Sequence, residues 1–438
     1  MPSTSWGYRA AVRLGAALAP AIGLVDRKVG DGHRPRRGAA DRLAAWAATG
    51  RDAARPLAWF HAASVGEGLQ AESVLLELRR LVPHCQLLFT HFSPSAEPLA
   101  RRLAVGAADY LPYDLPRAAD RLLATLAPDL LVFVKVDLWP ELATRAARSG
   151  TTVVLVAATV SQGSGRLRWP ARALLHAGYA AVAAAGAVAD ADAARLTRLG
   201  VPADRVRVLG DPRFDSVAAR VAAVAPDDPL LRFGRGAPTL VAGSTWPPDE
   251  AVLLDAFARL RRRRPDARLI LVPHEPTEEH LRTLDRRAAG AGLPPPMRLS
   301  AADGPASLLV VDRVGVLATL YGAGTMAYVG GGFGRAGLHS VLEPAAWGVP
   351  VAFGPGWRNS RDAALLLEAG AAEALGGPGG SLAPSEAMLR HWESWLTDEV
   401  RRAAQGGRAR EVIARGVGAA RRSAEMLAGF ISSRHPRR

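Results

Sequence analysis

The chain has 438 residues, 49% of them hydrophobic and 22% charged, which excludes a disordered protein and leaves room for two or three domains with cores of their own. A formal net charge of +14 points to anionic partners, among them a phosphorylated substrate, an anionic membrane surface or nucleic acid. One cysteine, Cys85, excludes an intramolecular disulfide and a cysteine-based metal site.

In chain order, the run Leu14 to Val25 is nearly all apolar but short and interrupted at Pro20, and it reads as too short to span a bilayer. With Arg9 and Arg13 ahead of it, two readings stand: the start of a signal peptide, or a helix lying in the membrane interface with Trp6, Tyr8, Leu14 and Leu18 on or near its apolar side. The interfacial helix is preferred. Arg34, Arg36 and Arg37 near one end, and Arg434, Arg437 and Arg438 at the other, read as solvated basic segments.

Short apolar runs then alternate with segments of helical period. The first set is Leu57–His61, Gln86–Thr90, Leu130–Val136, Val153–Ala158, Ala181–Ala185 and Val206–Gly210. The second is Thr239–Gly243, Leu269–Pro273, Leu308–Asp312, Met326–Gly330 and Val349–Phe353. Continuous apolar strands separated by helices predict parallel sheets covered on both faces, so the fold class is α/β with two doubly wound, Rossmann-like domains. The Pro- and Gly-rich stretch from Ser216 to Pro238 separates them. The expected division is a basic N-terminal segment over 1–49, a first domain over 50–220, a linker over 221–235, a second domain over 236–400, and a C-terminal helix and basic tail over 401–438. A last helix of about Asp398 to Ile431 is placed to return to the first domain. In such sheets ligands bind beyond the carboxyl ends of the strands, which directs attention to the cleft between the domains.

The first strand runs into His61-Ala62-Ala63-Ser64-Val65-Gly66-Glu67-Gly68, with a helix starting near Gly68. Ser64 and Gly66 let a ligand approach the backbone there. Glu67 is either a general base or a helix-start carboxylate complementing the macrodipole. Lys135 and Asp137 end another apolar strand, on one side of an extended chain, and are costly there unless paired or functional. Arg213, after the strand at Val206–Gly210, is a phosphate or carboxylate contact or a plain surface turn. In the second domain His274 and Glu275 end a strand and are too few for a metal site. The richest stretch runs from Tyr328 to Ala345: a strand, a loop with Gly330, Gly331, Gly332 and Gly334, then a helix. Backbone N–H groups of such a loop suit phosphate. Gly332, Gly334 and Gly337 also spell G-x-G-x-x-G, but the loop comes late in its domain and the acid, Glu343, follows too soon for a dinucleotide site. Glu343 suits the two hydroxyls of a ribose instead.

Taken together, His61–Glu67, Leu111–Asp114, Asp137–Pro140, Gly210–Asp215, Ser244–Thr245 and Gly330–Glu343, in this order and spacing, resemble the Kdo (3-deoxy-D-manno-octulosonic acid) transferase family, from about Trp59 to Ala372. The resemblance implies a GT-B glycosyltransferase that moves Kdo from CMP-Kdo to a lipid A precursor in lipopolysaccharide biosynthesis, with no bound metal or other cofactor. It implies Glu67 as proton acceptor, with Asp137 (where the family usually has Glu) and Arg213 (usually Lys) stabilising the transition state. It maps the CMP site onto His274, Glu275, Val314, Gly315, Val316, Ser340, Val341, Leu342 and Glu343. Ser64, Gly66 and Lys135 fall on the acceptor side. The usual family form has Glu at Lys135, Arg-His at His274-Glu275 and Asn at Ser340; a Lys and a His-Glu pair mark a divergent branch.

The expected partners are CMP-Kdo, a lipid A precursor and an anionic membrane surface, and the expected place is the cytoplasmic face of the inner membrane, peripheral or monotopic through the N-terminus. Nucleic acid is not expected, because no basic stripe is interleaved with aromatics. The alternatives are another GT-B enzyme such as a UDP-sugar 2-epimerase, a nicotinamide oxidoreductase, and a non-catalytic basic protein that binds membrane or nucleic acid.

Overall fold

In the computed structural model, residues 4–376 and 382–434 are described; Arg437 and Arg438 of the basic end lie outside the described residues. Fourteen strands assemble into two parallel sheets of seven. The chain divides into two compact units, one of Met1–Ser216 with Val417–Arg438, the other of Val217–Gly416.

In the first unit the strands are β1 Leu57–Ala62, β2 Gln86–His91, β3 Ala107–Tyr110, β4 Leu130–Val134, β5 Thr152–Ala158, β6 Ala184–Ala187 and β7 Val206–Val208. Their order is β3-β2-β1-β4-β5-β6-β7. The central strands are buried on both faces, as in Leu130–Val134, where every side chain is inside. A strand read only for alternation would have been missed here; parallel strands under two helix layers carry unbroken apolar runs. β3 had no expected counterpart, and β6 lies a few residues later than the run Ala181–Ala185. Order reverses between β1 and β4, which is the switch point of a doubly wound sheet and the place where its ligands bind.

Three helices precede this sheet: Trp6–Val25, Arg27–Arg36 and Ala39–Gly50. The first is 20 residues long, about 30 Å, so by length and composition it could cross a membrane, contrary to the shorter run read from the sequence. Trp6, Leu14, Leu18, Ile22, Leu24 and Val25 point outward. Tyr8, expected on that face, turns inward instead, and its hydroxyl donates to Asp114 Oδ2 at 2.8 Å. Arg36, read as part of a solvated segment, is buried with its guanidinium 3.6 Å from the centre of the Phe92 ring. The expected single C-terminal helix is two, Glu399–Gly416 and Ala419–Arg434, separated at Val417-Gly418. Asp215 caps the second of them, accepting from Gly418 N at 2.7 Å and Ala420 N at 3.1 Å.

The second unit holds β8 Thr239–Thr245, β9 Arg268–Pro273, β10 Met297–Arg298, β11 Leu308–Val310, β12 Met326–Val329, β13 Val351–Phe353 and β14 Ala372–Ala374, in the order β10-β11-β9-β8-β12-β13-β14. Here the switch point lies between β8 and β12. The two shortest additions to the expected strands, β10 and β14, are the edges. Trp392 and Trp395 of the helix Pro384–Thr397 are fully buried and close one face of the sheet.

Candidate functional site

The switch point of the first unit gathers three of the residues singled out above. The helix after β1 begins at Val65, earlier than expected, which puts Glu67 in its first turn. Glu67 Oε2 accepts from the N–H and the hydroxyl of Ser64, both at 2.9 Å. That is the carboxylate's capping duty. Oε1 faces Lys135 Nζ at 3.9 Å. Gly66, one residue earlier, is exposed, and a Cβ there would meet no atom. Ser64 and Gly66 thus leave the approach to Glu67 open. His61, at the head of the same motif, is wholly buried beside Thr90 Oγ1 at 3.0 Å. Burial, and then the neighbouring His91, push its pKa down to about 3, so it is a neutral core residue.

The expected extended arrangement of Lys135 and Asp137 is not what the chain adopts. β4 ends at Val134, and Lys135 has φ +59°, a left-handed conformation that costs a side-chain-bearing residue roughly 1–2 kcal/mol. The turn sends Lys135 toward Glu67 while its N–H still donates to Val156 O at 2.8 Å. Strain of this kind is held at sites where it aims a functional group. Asp137 follows, paired with Arg166 at 3.3 Å. Burial first, and then the charge of Glu67, raise its pKa; Arg166 and Lys135 oppose the rise. Two carboxylates and two cations therefore meet at one strand-end crevice. Arg166 was not found in the sequence, where it is one arginine of a Gly- and Ser-rich loop with no local signal.

Arg213 is elsewhere. It starts the helix Pro212–Ala222 after β7, four strands from β1 and therefore about 19 Å along the sheet. Its guanidinium pairs with buried Asp211 at 2.6 Å.

In the second unit the glycine loop follows β12. A Cβ on Gly330 would lie 2.3 Å from Ser244 O, and on Gly331, at φ +93°, 1.9 Å from Gly337 O. Gly330 is demanded by the packing of the loop on the end of β8, and Gly331 by the loop's own fold back onto Gly337. The expected phosphate cradle is corrected in one respect. The N–H groups of Gly331 and Phe333 donate to buried Asp249, at 2.9 and 3.3 Å. The same carboxylate accepts from Tyr328 Oη at 2.7 Å and Trp246 N at 3.0 Å. An anion cannot share amides already turned to a carboxylate. Gly332 packs against Gly354, whereas Gly334 has room around it. Asp249 is not singled out by the sequence. The signal that would have found it is its position, third in the first turn of the helix Pro247–Arg263, where an acid caps the backbone.

Asp249 also orients Trp246, whose indole N–H donates to His339 Nε2 at 2.9 Å. His339 stacks on His274, their centroids 4.4 Å apart, and Trp246 lies 4.7 Å from His274. Burial, and then His274, lower the pKa of His339, consistent with an imidazole that accepts at Nε2. His274 is exposed on its outer side. Glu275 lends its carbonyl to His280 Nδ1 at 2.9 Å. Val314 is exposed, Gly315 has φ +87°, and Val316 precedes the short helix Leu317–Leu320. Ser340 is exposed, while Val341 and Leu342 are buried and face the core. Glu343, in the helix Leu342–Trp347, pairs with Arg220 at 3.0 Å. Among the described residues there is no group of three or more His, Cys, Asp or Glu able to hold a metal ion.

Two parallel seven-stranded sheets with these residues at their switch points define the GT-B class of enzymes. Solved structures agree on the fold. The UDP-GlcNAc 2-epimerase of Neisseria meningitidis bound to UDP-GlcNAc matches with TM-score 0.61 at 12% identity, over 86% of this chain and 99% of that one. The S. aureus MnaA-UDP co-structure matches with TM-score 0.57 at 12% identity, over 87% and 97%. The sequence narrows the class. Residues 36–216 match the family model described as 3-deoxy-D-manno-octulosonic-acid transferase (kdotransferase). The 3-deoxy-D-manno-octulosonic acid transferase of Bordetella pertussis is 32% identical over 431 residues, 90% of this chain and 94% of that protein. The corresponding transferase of Haemophilus influenzae is 26% identical, over 68% of this chain and 70% of that protein. The chain belongs to the Kdo transferase family.

Proposed function

We propose that this chain is an inverting glycosyltransferase of lipopolysaccharide biosynthesis that moves Kdo from CMP-Kdo to a hydroxyl of a lipid A precursor. The observation that carries the reading is the meeting of Glu67, Lys135 and Asp137 at the switch point of the first sheet, in a member of the Kdo transferase family. Glu67 Oε1 takes the proton of the acceptor hydroxyl as that oxygen forms a bond to the anomeric carbon. The bond from that carbon to the CMP phosphate oxygen breaks, and its electron pair leaves with CMP. One displacement inverts the anomeric configuration. Lys135 faces Glu67 and, with Arg166, offsets the negative charge around Asp137. In the second unit the exposed face of His274 offers the cytosine a stacking surface, and Glu343, held by Arg220, accepts from the ribose hydroxyls. Arg213 is the cation of the family motif. Charge on the departing phosphate is met by cationic side chains and by the backbone around Ser340, with no metal invoked.

The N-terminal helix is proposed to lie on the cytoplasmic face of the inner membrane. Its outward apolar residues and exposed Arg13 support this. A cleaved signal fits less well, because Arg9 neutralises buried Glu141 at 2.8 Å and its removal would strand that charge. For the same reason the membrane test is not a deletion but L14S/L18S/I22S, which leaves Arg9 in place. Loss of sedimentation with anionic vesicles is expected; unchanged sedimentation would overturn the anchor. For the reaction, the chain is incubated with CMP-Kdo and a lipid A precursor and the lipid product is weighed by mass spectrometry. Addition of Kdo is expected. Turnover of a UDP-sugar with none of CMP-Kdo would overturn the reading in favour of an epimerase-like enzyme.

A further inference from the structure

We propose that Tyr8 and Arg9 are positioning residues: from the N-terminal helix they hold the start of the helix Pro140–Arg148, and through it the loop that carries Asp137. The proposal rests on the assignment of Asp137 to the transfer site.

The helix Pro140–Arg148 follows Asp137-Leu138-Trp139 directly, and its own N-cap residue, Trp139, makes no side-chain cap. The missing cap comes from another loop. Asp114 Oδ1 accepts from Leu142 N and Oδ2 from Glu141 N, both at 2.8 Å. The Tyr8 hydroxyl donates to the same Oδ2. Glu141, the second residue of that helix, has a wholly buried carboxylate. It receives Arg9 Nε at 2.8 Å, Arg9 Nη2 at 3.1 Å and Arg145 Nε at 2.6 Å. Thr4 and Thr144 add a hydroxyl contact at 3.1 Å. Among the described residues, these ties are made by Thr4, by Arg9 and, through Asp114, by Tyr8, on the side of the N-terminal segment opposite its exposed apolar residues.

The tie reaches Asp137 because the two residues between it and the helix are packed in place. Leu138 is buried, and Trp139 packs 4.8 Å from Phe92 and 5.9 Å from His61. A helix start that shifts must carry Asp137 with it. Asp114 meets Tyr8 of the N-terminal helix and Glu141 and Leu142 of the helix it caps; Arg9 and Arg145 pair with Glu141 behind them, and Asp120 of the helix Pro116–Leu126 lies on Arg145 at 2.5 Å. Burial above all pushes Asp114 up to about 6, while the Tyr8 hydroxyl and the two amides pull it down. As pH falls through 6 the cap is protonated and its hold on the helix weakens.

The test compares the full chain with its Y8F and R9Q variants, and with R9K, by backbone hydrogen exchange of residues 137–147 and by Kdo transfer across pH. Y8F is expected to speed exchange in that segment and lower kcat, each by roughly tenfold, the worth of one hydrogen bond to a charged group. KM for CMP-Kdo should stay within about twofold, and the acid limb of kcat should move to higher pH, because Asp114 loses a donor. R9Q should act in the same direction and R9K should recover most of the loss. Faster exchange with kcat and its pH profile unchanged would overturn the proposal, as would no change in exchange. A wild-type chain that transfers no Kdo refutes the proposed reaction instead, and the exchange arm still reads the tie.

Discussion

At the switch point of the first unit the polar groups are side chains that face one another; at that of the second they are backbone amides turned onto a buried carboxylate. Glu67, Lys135 and Asp137 remain partly open and hold a strained backbone. Asp249 is closed off, with four donors and no exposure. The first arrangement suits proton transfer, where charge must change. The second suits recognition, where a loop must hold its shape while a nucleotide comes and goes. The contrast predicts that substitutions in the first unit alter rate more than stability and that those in the second do the reverse.

The largest effect is expected from Glu67→Gln. Loss of a general base lowers kcat by roughly 10²–10⁴. Gln at the third helical position still accepts from Ser64 N, so the cap survives and the melting temperature should hold. Kdo transfer and thermal unfolding of the same preparation check this together. Turnover close to wild type would remove Glu67 from the reaction and reduce it to its capping role.

Asp249→Ala should break the other half of the contrast. It strands the Tyr328 hydroxyl and the amides of Trp246, Gly331 and Phe333, costing about 3–5 kcal/mol. Denaturant unfolding should show that loss, and a raised KM for CMP-Kdo should accompany whatever stays folded. A variant of wild-type stability and KM would show that the loop needs no such anchor.

A smaller test reverses the usual link between function and stability. Lys135→Gly removes a side chain from a left-handed residue, so stability should rise by up to about 1 kcal/mol. It also removes the cation facing Glu67 at 3.9 Å, and kcat should fall by roughly fivefold, the worth of a partly exposed ion pair. A gain in both would mean that the turn is strained for no catalytic reason.

These comparisons also mark what the sequence could carry. The central strands were legible because burial on both faces leaves an unbroken apolar run, as in Leu130–Val134. β3, β10 and β14 were not: they lie at sheet edges, and Ala107–Tyr110, Met297–Arg298 and Ala372–Ala374 carry no such run. Asp137 was legible as a charged residue at a strand end, where burial costs need a reason, and Glu67 as a carboxylate at a strand-to-helix turn. The left-handed turn at Lys135 was not, because no Gly or Asn marks it. Asp249 and Tyr8 escaped for a different reason. Their partners are 82 and 106 residues away, and nothing local says which amide or carboxylate a polar side chain will meet.

The smallest expected effect separates pinning from chemistry inside the second unit. Glu373, on edge strand β14, accepts from His391 Nδ1 at 2.9 Å, Arg401 Nη2 at 2.8 Å and Gln405 Nε2 at 2.7 Å. Burial works to raise its pKa, but these partners prevail and hold it at about 2. A carboxylate depressed in this way stabilises the fold fully above its unfolded value of about 4.5 and loses that contribution as pH falls toward 2. Glu373→Gln should therefore cost about 1–2 kcal/mol at neutral pH, and the gap to wild type should close between pH 4.5 and 2. Hydrogen exchange of β14 at several pH values reads this locally. Kdo transfer at neutral pH should be little changed, since no residue of the transfer site touches this cluster in the contacts described. A gap that stays constant with pH would mean that packing of His391 on Trp395, 3.9 Å between ring centres, holds the edge rather than the charge.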